Sequence, residues 1–374
     1  MFKQCTILPA HADQMETTLL TVRAGSRAYE VQIAQGVSRR LDDVLDAAGF
    51  PTRRFVISSP QVWRLHGENI TSGLTAEEPI LLTDGERFKN LQTVTRAYEA
   101  LLKAEADRGC AIVAVGGGVI GDMAGFVAAT YLRGVPLAHV PTTLLAQVDS
   151  CIGGKVGVNH ALGKNLIGAF HAPVSVAVDP AVLATLPRRE FRAGLYEVVK
   201  YGAVADADLF ARLERDLTPL FAREPAMLLP VIAASCRIKA AIVEADEREH
   251  DVRRLLNFGH TAGHSLEAIT KYRRFRHGEA IAYGMLAAAM LGVARGVTPG
   301  EVRDRLQQLI VQMGPLPPVA DLTAAQALEA IRHDKKIVGG RLKFVATTAI
   351  GTAVILDNVT EGELRAALLA IGLR

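Results

Sequence analysis

The sequence predicts an α/β half built on a mostly parallel sheet, followed by a mainly α-helical half. Before residue 187, five short aliphatic or β-branched runs recur at helix-length intervals and are apolar on both faces, as strands covered on both sides by helices must be. After Pro187 such runs give way to apolar residues at helical spacing. A chain of 374 residues is long enough for each half to bury its own core.

The strand candidates are RFVISS (54–59), PILLTD (79–84), AIVAVGGG (111–118), LAHVPT (137–142) and VSVAVDP (174–180). Helical spacing then runs over 188–201, 205–215, 226–245, 261–270, 280–294, 298–313 and 323–332. One late exception, LKFVATTAIGTAVIL (342–356), reads as a hairpin turning at Gly351. Two domains are therefore expected, 1–186 and 187–374. There is no internal repeat or low-complexity tract.

With 49% hydrophobic and 22% charged residues, the chain is neither disordered, collagen-like nor heptad-dominated. Its 42 lysines and arginines against 39 acids leave a net charge of +3, which is no nucleic-acid footprint. The longest apolar stretch, AIAYGMLAAAMLGVA (280–294), is shorter than the roughly 18–20 residues of a bilayer-spanning helix, so no membrane partner is expected. The first residues show no export signal, and Cys5, Cys110, Cys151 and Cys236 form no CxxC pair. A reducing cytoplasmic setting is expected.

AIVAVGGGVIGDMAGF places Gly116, Gly117, Gly118 and Gly121 after a strand and at the start of a helix. There glycine lets the backbone approach a phosphate, and free amides at a helix start attract the anion. The same cluster also suits a tight strand-to-helix turn. DGERFK (84–89) and PTT (141–143) follow other strand ends, at the carboxyl edge where open α/β sheets bind ligands.

His260, His264 and His277 fall within eighteen residues, the first two one helical turn apart on a common face. A divalent metal bound by two imidazoles needs a third ligand, commonly a carboxylate. Glu197, Glu249, Glu267 and Glu279 all qualify on spacing. Glu197 stands out beside Lys200 in GLYEVVKYG, although that pair also reads as a helical ion pair.

Lys155, Asn159, Lys164 and Asn165 lie among glycines and apolar residues in CIGGKVGVNHALGKNLIGAF. Arg133 and Asp149 are similarly isolated, and Lys239, Arg253 and Asn257 precede the histidines. Lys335 and Lys336 follow them in HDKK. Isolated cations in an apolar frame suit anion contacts, here a phosphate and a carboxylate.

In order, GGGVIGD, PTTLLAQVDS, IGGK..VN...GKN, AGLYEVVKYG, LLNFGHTAGH and HGEA resemble the 3-dehydroquinate synthase family of sugar phosphate cyclases, from Asp84 to Gly351. The resemblance implies a Rossmann-like domain followed by a helical one, a homodimer, and use of NAD with zinc or cobalt. It implies metal ligands at Glu197, His260 and His277. NAD contacts are implied at Asp84, Gly85, Glu86, Arg87, Phe88 and Lys89, and along the glycine loop at Gly116, Gly117, Gly118, Val119, Ile120, Gly121 and Asp122. Further cofactor contacts fall at Thr142, Thr143, Lys155, Lys164, Val182, Leu183, Ala184 and Thr185. Substrate and catalytic roles are implied for Asp149, Lys155, Asn165, Lys200, Lys239, Arg253, Asn257, His264 and Lys336, with Arg133 reaching the substrate phosphate across a dimer. Where the family often has Asp-x-Asn, this chain reads Ser59-Pro60-Gln61, and Cys151 and Val156 replace the usual serine and threonine.

The implied reaction turns 3-deoxy-D-arabino-heptulosonate 7-phosphate into 3-dehydroquinate and phosphate, a step of the shikimate pathway to chorismate and the aromatic amino acids. It proceeds by transient oxidation, loss of phosphate, re-reduction and intramolecular aldol closure. Two other readings are a sister cyclase acting on sedoheptulose 7-phosphate and a metal-dependent polyol dehydrogenase. The first is opposed by Lys239, Arg253 and Asn257, the second by Glu197 and the surplus of lysines.

Overall fold

All five apolar runs contribute strands to one sheet in the structure, a computed structural model that describes residues 17–24, 27–247, 252–333, 337–338 and 341–374. In chain order the first elements are β1 (Thr18–Ala24), β2 (Arg27–Ile33), α1 (Leu41–Ala47), β3 (Arg53–Ser58), α2 (Pro60–Thr71), β4 (Ile80–Leu81) and α3 (Leu91–Lys103). Then come β5 (Cys110–Gly116), α4 (Gly118–Thr130), β6 (Leu137–Pro141), β7 (Lys155–His160), β8 (Gly163–Phe170) and β9 (Ser175–Val178). The helices α5 (Arg188–Ala205), α6 (Ala207–Phe221), α7 (Pro225–Ala245), α8 (His260–Ile269), α9 (His277–Ala294), α10 (Gly300–Gln312) and α11 (Ala324–His333) follow. The chain finishes with β10 (Ile337–Val338), β11 (Arg341–Leu342), β12 (Phe344–Ala349), β13 (Thr352–Leu356) and α12 (Glu361–Ala370).

Contacts divide the chain into two units, Met1–Pro187 with Arg223–Glu247, and Arg188–Ala222 with Arg248–Arg374. Residues 223–247, expected with the helical half, group with the first unit because α7 packs on β1 and on the π-turn at Ala146–Ser150.

In the first unit the seven-stranded sheet has the order β1-β2-β9-β6-β5-β3-β4. Only the β1–β2 pair is antiparallel. Every residue of β5 is buried: Ile112 and Ala114 join one core with α3 and α4, whereas Val113 and Val115 join a second core with α1. Two covered faces explain the unbroken apolar run, in which each buried valine or isoleucine contributes about 1.5–3 kcal/mol. PILLTD yields only the two-residue edge strand β4. The β1–β2 hairpin and the separate β7–β8 hairpin were not foreseen, the latter because a glycine-rich run lacks clear alternation.

The second unit is helical apart from short hairpins. β12 and β13 turn at Gly351, whose φ of +83° suits glycine. The apolar stretch 280–294 lies in α9, which packs on α5, α8, α10 and α12. The three cysteines among the described residues, Cys110, Cys151 and Cys236, are buried and free.

Candidate functional site

In the second unit, α5, α8 and α9 bring one carboxylate and three imidazoles together. Donor atoms of His260, His264 and His277 all lie within 4.8 Å of one another. Glu197 Oε1 is 3.9 Å from His260 Nε2 and 3.5 Å from His277 Nε2. Two donors bound tetrahedrally to one zinc-sized ion are separated by about 3.3 Å, so the set fits a divalent cation. Glu197 is fully buried and ion-paired to Lys200 one turn along α5.

Close backbone approach makes this convergence possible. A Cβ on Gly278, next to His277, would sit 1.9 Å from the Ala193 carbonyl oxygen of α5. On Gly284 of α9 it would sit 1.7 Å from the carbonyl oxygen of Gly259, the residue before His260. Gly259 itself has φ +79° and caps α8.

The four carboxylates that spacing left open separate here. Glu197 enters the histidine cluster. Glu267, on the face of α8 that carries His260 and His264, reaches His277 Nδ1 from the other side at 3.2 Å. Glu279 turns away: it accepts from Arg189 and Arg192 and from the Arg276 amide, closing the first turn of α9. Those donors hold its carboxyl below the ordinary range against the opposing effect of burial. Glu249 lies outside the described residues. Burial alone would push the His277 imidazole down, but Glu267 and Glu197 outweigh it and raise it to about 10.

Arg253 and Asn257 precede the cluster in a 3₁₀ segment, Val252–Asn257, with Arg253 buried. Lys335 and Lys336 lie outside the described residues.

In the first unit, the residues expected to contact NAD lie at or just beyond the carboxyl ends of the parallel strands, except Lys155 and Lys164, which lie on the separate β7–β8 hairpin. Gly117 precedes α4 and no side chain caps that helix, leaving the amides of its first turn available. None of Gly116, Gly117, Gly118 and Gly121 has a positive φ. Their smallness serves close packing: a Cβ on Gly116 would meet Ile120 at 2.6 Å and one on Gly117 would meet Thr143 at 2.9 Å. Close strand-to-helix packing therefore accounts for the glycines at Gly116 and Gly117, while the start of α4 carries no side-chain cap. Ile120, Val182 and Leu183 are buried, while Val119 is half-buried. The Thr142 amide donates to the Gly116 carbonyl at 2.9 Å, tying the ends of β6 and β5.

After β4, Asp84 accepts from the Gly85 amide, and burial pushes its carboxyl up. Glu86, Arg87 and Phe88 form one 3₁₀ turn. Buried Lys89 ion-pairs with Asp122 of α4 and donates to Asn165 Oδ1 at 2.6 Å. Asn159 completes the network, donating to Glu86 Oε1 at 2.7 Å and accepting from the Asn165 amide at 2.9 Å. Lys164 approaches Glu86 at 3.7 Å. The lysine–asparagine stretch is therefore a hairpin joined to both the 84–89 segment and α4. Asn165 holds a left-handed φ of +53° there.

Asp149, on the π-turn Ala146–Ser150, pairs with Lys239 of α7 at 2.6 Å. Lys155 starts β7 and is exposed. Arg133 is exposed in the strained segment that also holds Leu132, with φ +47° and +70° for Leu132 and Arg133. Ala184 and Thr185 follow β9 in the 3₁₀ segment Pro180–Thr185, where Thr185 Oγ1 lies 2.9 Å from His66 Nε2. Arg223 donates to the carbonyls of Leu183 and Ala184; nothing local in the sequence marks it for that role. Ser59 caps α2 by accepting from the Val62 amide at 3.3 Å. Cys151 is buried, and Val156 fills the space a Cβ on Gly125 would need.

A parallel-sheet unit with an anion-ready strand edge and a helical unit with a histidine–carboxylate cluster define a candidate metal- and nucleotide-dependent enzyme. Family models described as 3-dehydroquinate synthase N-terminal and C-terminal match residues 79–193 and 194–337. The 3-dehydroquinate synthase of Thermosynechococcus vestitus is 44% identical over 364 residues, 94% of this chain and 98% of that protein. The chain belongs to the 3-dehydroquinate synthase family. Among solved structures, the 2-epi-5-epi-valiolone synthase ValA of Streptomyces hygroscopicus, with NAD+ and Zn2+ bound, is 28% identical with TM-score 0.84, covering 93% of this chain and 98% of that one. A 2-deoxy-scyllo-inosose synthase complexed with carbaglucose-6-phosphate, NAD+ and Co2+ is 26% identical with TM-score 0.82, covering 94% and 99%.

Proposed function

We infer that this chain is a carbon–oxygen lyase that converts 3-deoxy-D-arabino-heptulosonate 7-phosphate to 3-dehydroquinate and phosphate. The convergence of Glu197 with His260 and His277 carries this reading, together with relatives of that activity at 44% identity. The first unit is the NAD-binding domain, and the second holds zinc or cobalt through Glu197, His260 and His277. When bound, the cation supplies Lewis acidity at the substrate hydroxyls and NAD a reversible hydride acceptor.

The remaining work falls to the chain's own groups. The first-turn amides of α4 receive the cofactor's pyrophosphate, and Lys89, by holding Asp122 and Asn165, fixes the loops around it. Arg253 and Asn257 bind the substrate carboxylate and hydroxyls, Lys155 and Lys239 its other oxygens, and Arg133 the phosphate of substrate bound to a partner subunit. Asp149 orients Lys239, and Lys200 steadies Glu197. His264 moves protons through a ring nitrogen. Bringing the ends of the open intermediate together for aldol closure is an orientation problem, for which effective molarities reach about 10⁵ M. A homodimer agrees with the exposed Leu132, Leu162, Leu166 and Phe170, and a cytoplasmic location with the free cysteines.

The test is phosphate release from the heptulosonate phosphate with and without NAD and chelator. Release that needs both NAD and metal, with no net absorbance at the NADH band, is expected. Release from sedoheptulose 7-phosphate instead, or net NADH formation from a neutral polyol, refutes the reading.

A further inference from the structure

We propose that Glu267 is a positioning residue whose carboxylate accepts the Nδ1–H of His277 and so turns Nε2 toward Glu197, setting the cluster's affinity for a divalent cation. This rests on the reading that Glu197, His260 and His277 hold a metal.

The two ring nitrogens of a ligating histidine are chemically distinct, and the partner of one decides which is free to bind. His277 lies between two carboxylates: Nδ1 is 3.2 Å from Glu267 Oε2 and Nε2 is 3.5 Å from Glu197 Oε1. The second nitrogen is the one that faces Glu197. His260 is arranged alike, with Nδ1 3.1 Å from the Phe258 carbonyl oxygen and Nε2 toward Glu197. Each imidazole thus has an acceptor behind it and the cluster before it. The acceptors differ: one is a neutral backbone carbonyl, the other a buried carboxylate that adds charge to the ring it holds.

The placement follows from helix geometry. His260, His264 and Glu267 are four and then three residues apart, so one stripe of α8 presents two imidazoles and a carboxylate. His277 starts α9 on a backbone fixed by Gly278 against Ala193. The backbone thus sets where the ring sits, and Glu267 selects the nitrogen that faces the cluster.

The experiment measures zinc affinity by competition with a chromophoric chelator, on purified protein without substrate, for the parent, Glu267→Gln, Glu267→Ala and His277→Ala. Circular dichroism identifies which variants fold. Removing a second-layer partner of this kind costs about 10–100-fold in affinity. Glu267→Ala is expected in that range, and Glu267→Gln, which keeps an acceptor but loses the charge, at about three- to tenfold. Nitrogen-15 NMR of the zinc-loaded, histidine-labelled parent is expected to place the His277 proton on Nδ1. A folded Glu267→Ala or Glu267→Gln variant within twofold of the parent overturns the proposal, provided His277→Ala loses the site. A His277 proton on Nε2 in the parent overturns it without any variant. If instead the parent and His277→Ala bind zinc equally, the metal reading itself fails.

Discussion

Replacing Gly284 by alanine sets two opposed effects against each other. In a helix interior alanine is favoured over glycine by about 1 kcal/mol, so α9 taken alone gains. The added methyl, however, would lie 1.7 Å from the Gly259 carbonyl oxygen and 2.9 Å from the Gly263 amide nitrogen. A comfortable carbon–oxygen contact is about 3.3 Å, leaving a shortfall of about 1.6 Å. Both obstructing atoms are backbone, so no side-chain rotation relieves it. Overpacking of this kind costs about 1–3 kcal/mol, and a net destabilisation of up to about 2 kcal/mol remains after the propensity gain. Gly259 directly precedes His260, while metal–ligand distances tolerate only about 0.2 Å. A zinc affinity at least tenfold weaker is therefore expected, alongside a lower melting temperature. Gly362→Ala in α12, with nothing within 4 Å of the new methyl, is the control and should leave stability unchanged or improved. Chelator competition and thermal unfolding of both variants test this. A Gly284→Ala protein that melts with the parent and binds zinc within twofold of it refutes the close-packing account.

Glu279→Gln should destabilise the protein at neutral pH by about 2 kcal/mol, less than a fully enclosed pair because Arg189 is half exposed. The lowered folded-state pKa makes that stabilisation complete above the unfolded value of about 4.3, and it is lost as pH falls through the folded value. Parent and variant melting curves should thus converge in acid, and a gap that persists or widens there contradicts the assignment. Lys89→Met leaves the Asp122 carboxylate without its cation and frees Asn165, so the NAD dissociation constant should rise about tenfold or more; calorimetry showing unchanged NAD binding removes the network from the cofactor site. Lys239→Ala and Arg253→Ala should each raise KM and lower kcat together, and an unchanged kcat/KM in both excludes them from substrate binding.

Much of the first unit was legible because its strands are buried on both faces. A run such as AIVAVGGG has no competing explanation once helix-length segments flank it, and β5 is accordingly buried throughout. The β7–β8 hairpin was not legible as strands. Its lysines, asparagines and glycines are chosen by what they touch, Glu86, Lys89 and α4, and those contacts are distant in sequence. The place of α7 in the first unit was hidden for the same reason: α7 reads as one more helix among helices, and its packing against β1 is a tertiary fact.

The site shows the same division at the scale of single atoms. Residue type and local spacing put His260 and His264 on one helix face and made Glu197 stand out beside Lys200, yet they could not decide among Glu197, Glu267 and Glu279, since each is an acid on a helix. Their roles are decided by which atoms of other helices face them: a second imidazole for Glu197, the reverse side of His277 for Glu267, and two guanidinium groups for Glu279. Those encounters depend in turn on glycines at 259, 278 and 284, where any side chain would hold the backbones apart. Chemistry restricts the donors to a few residue types, so a sequence displays them. Proximity restricts the glycines, and a glycine that permits contact looks, in one dimension, the same as a glycine that merely turns the chain.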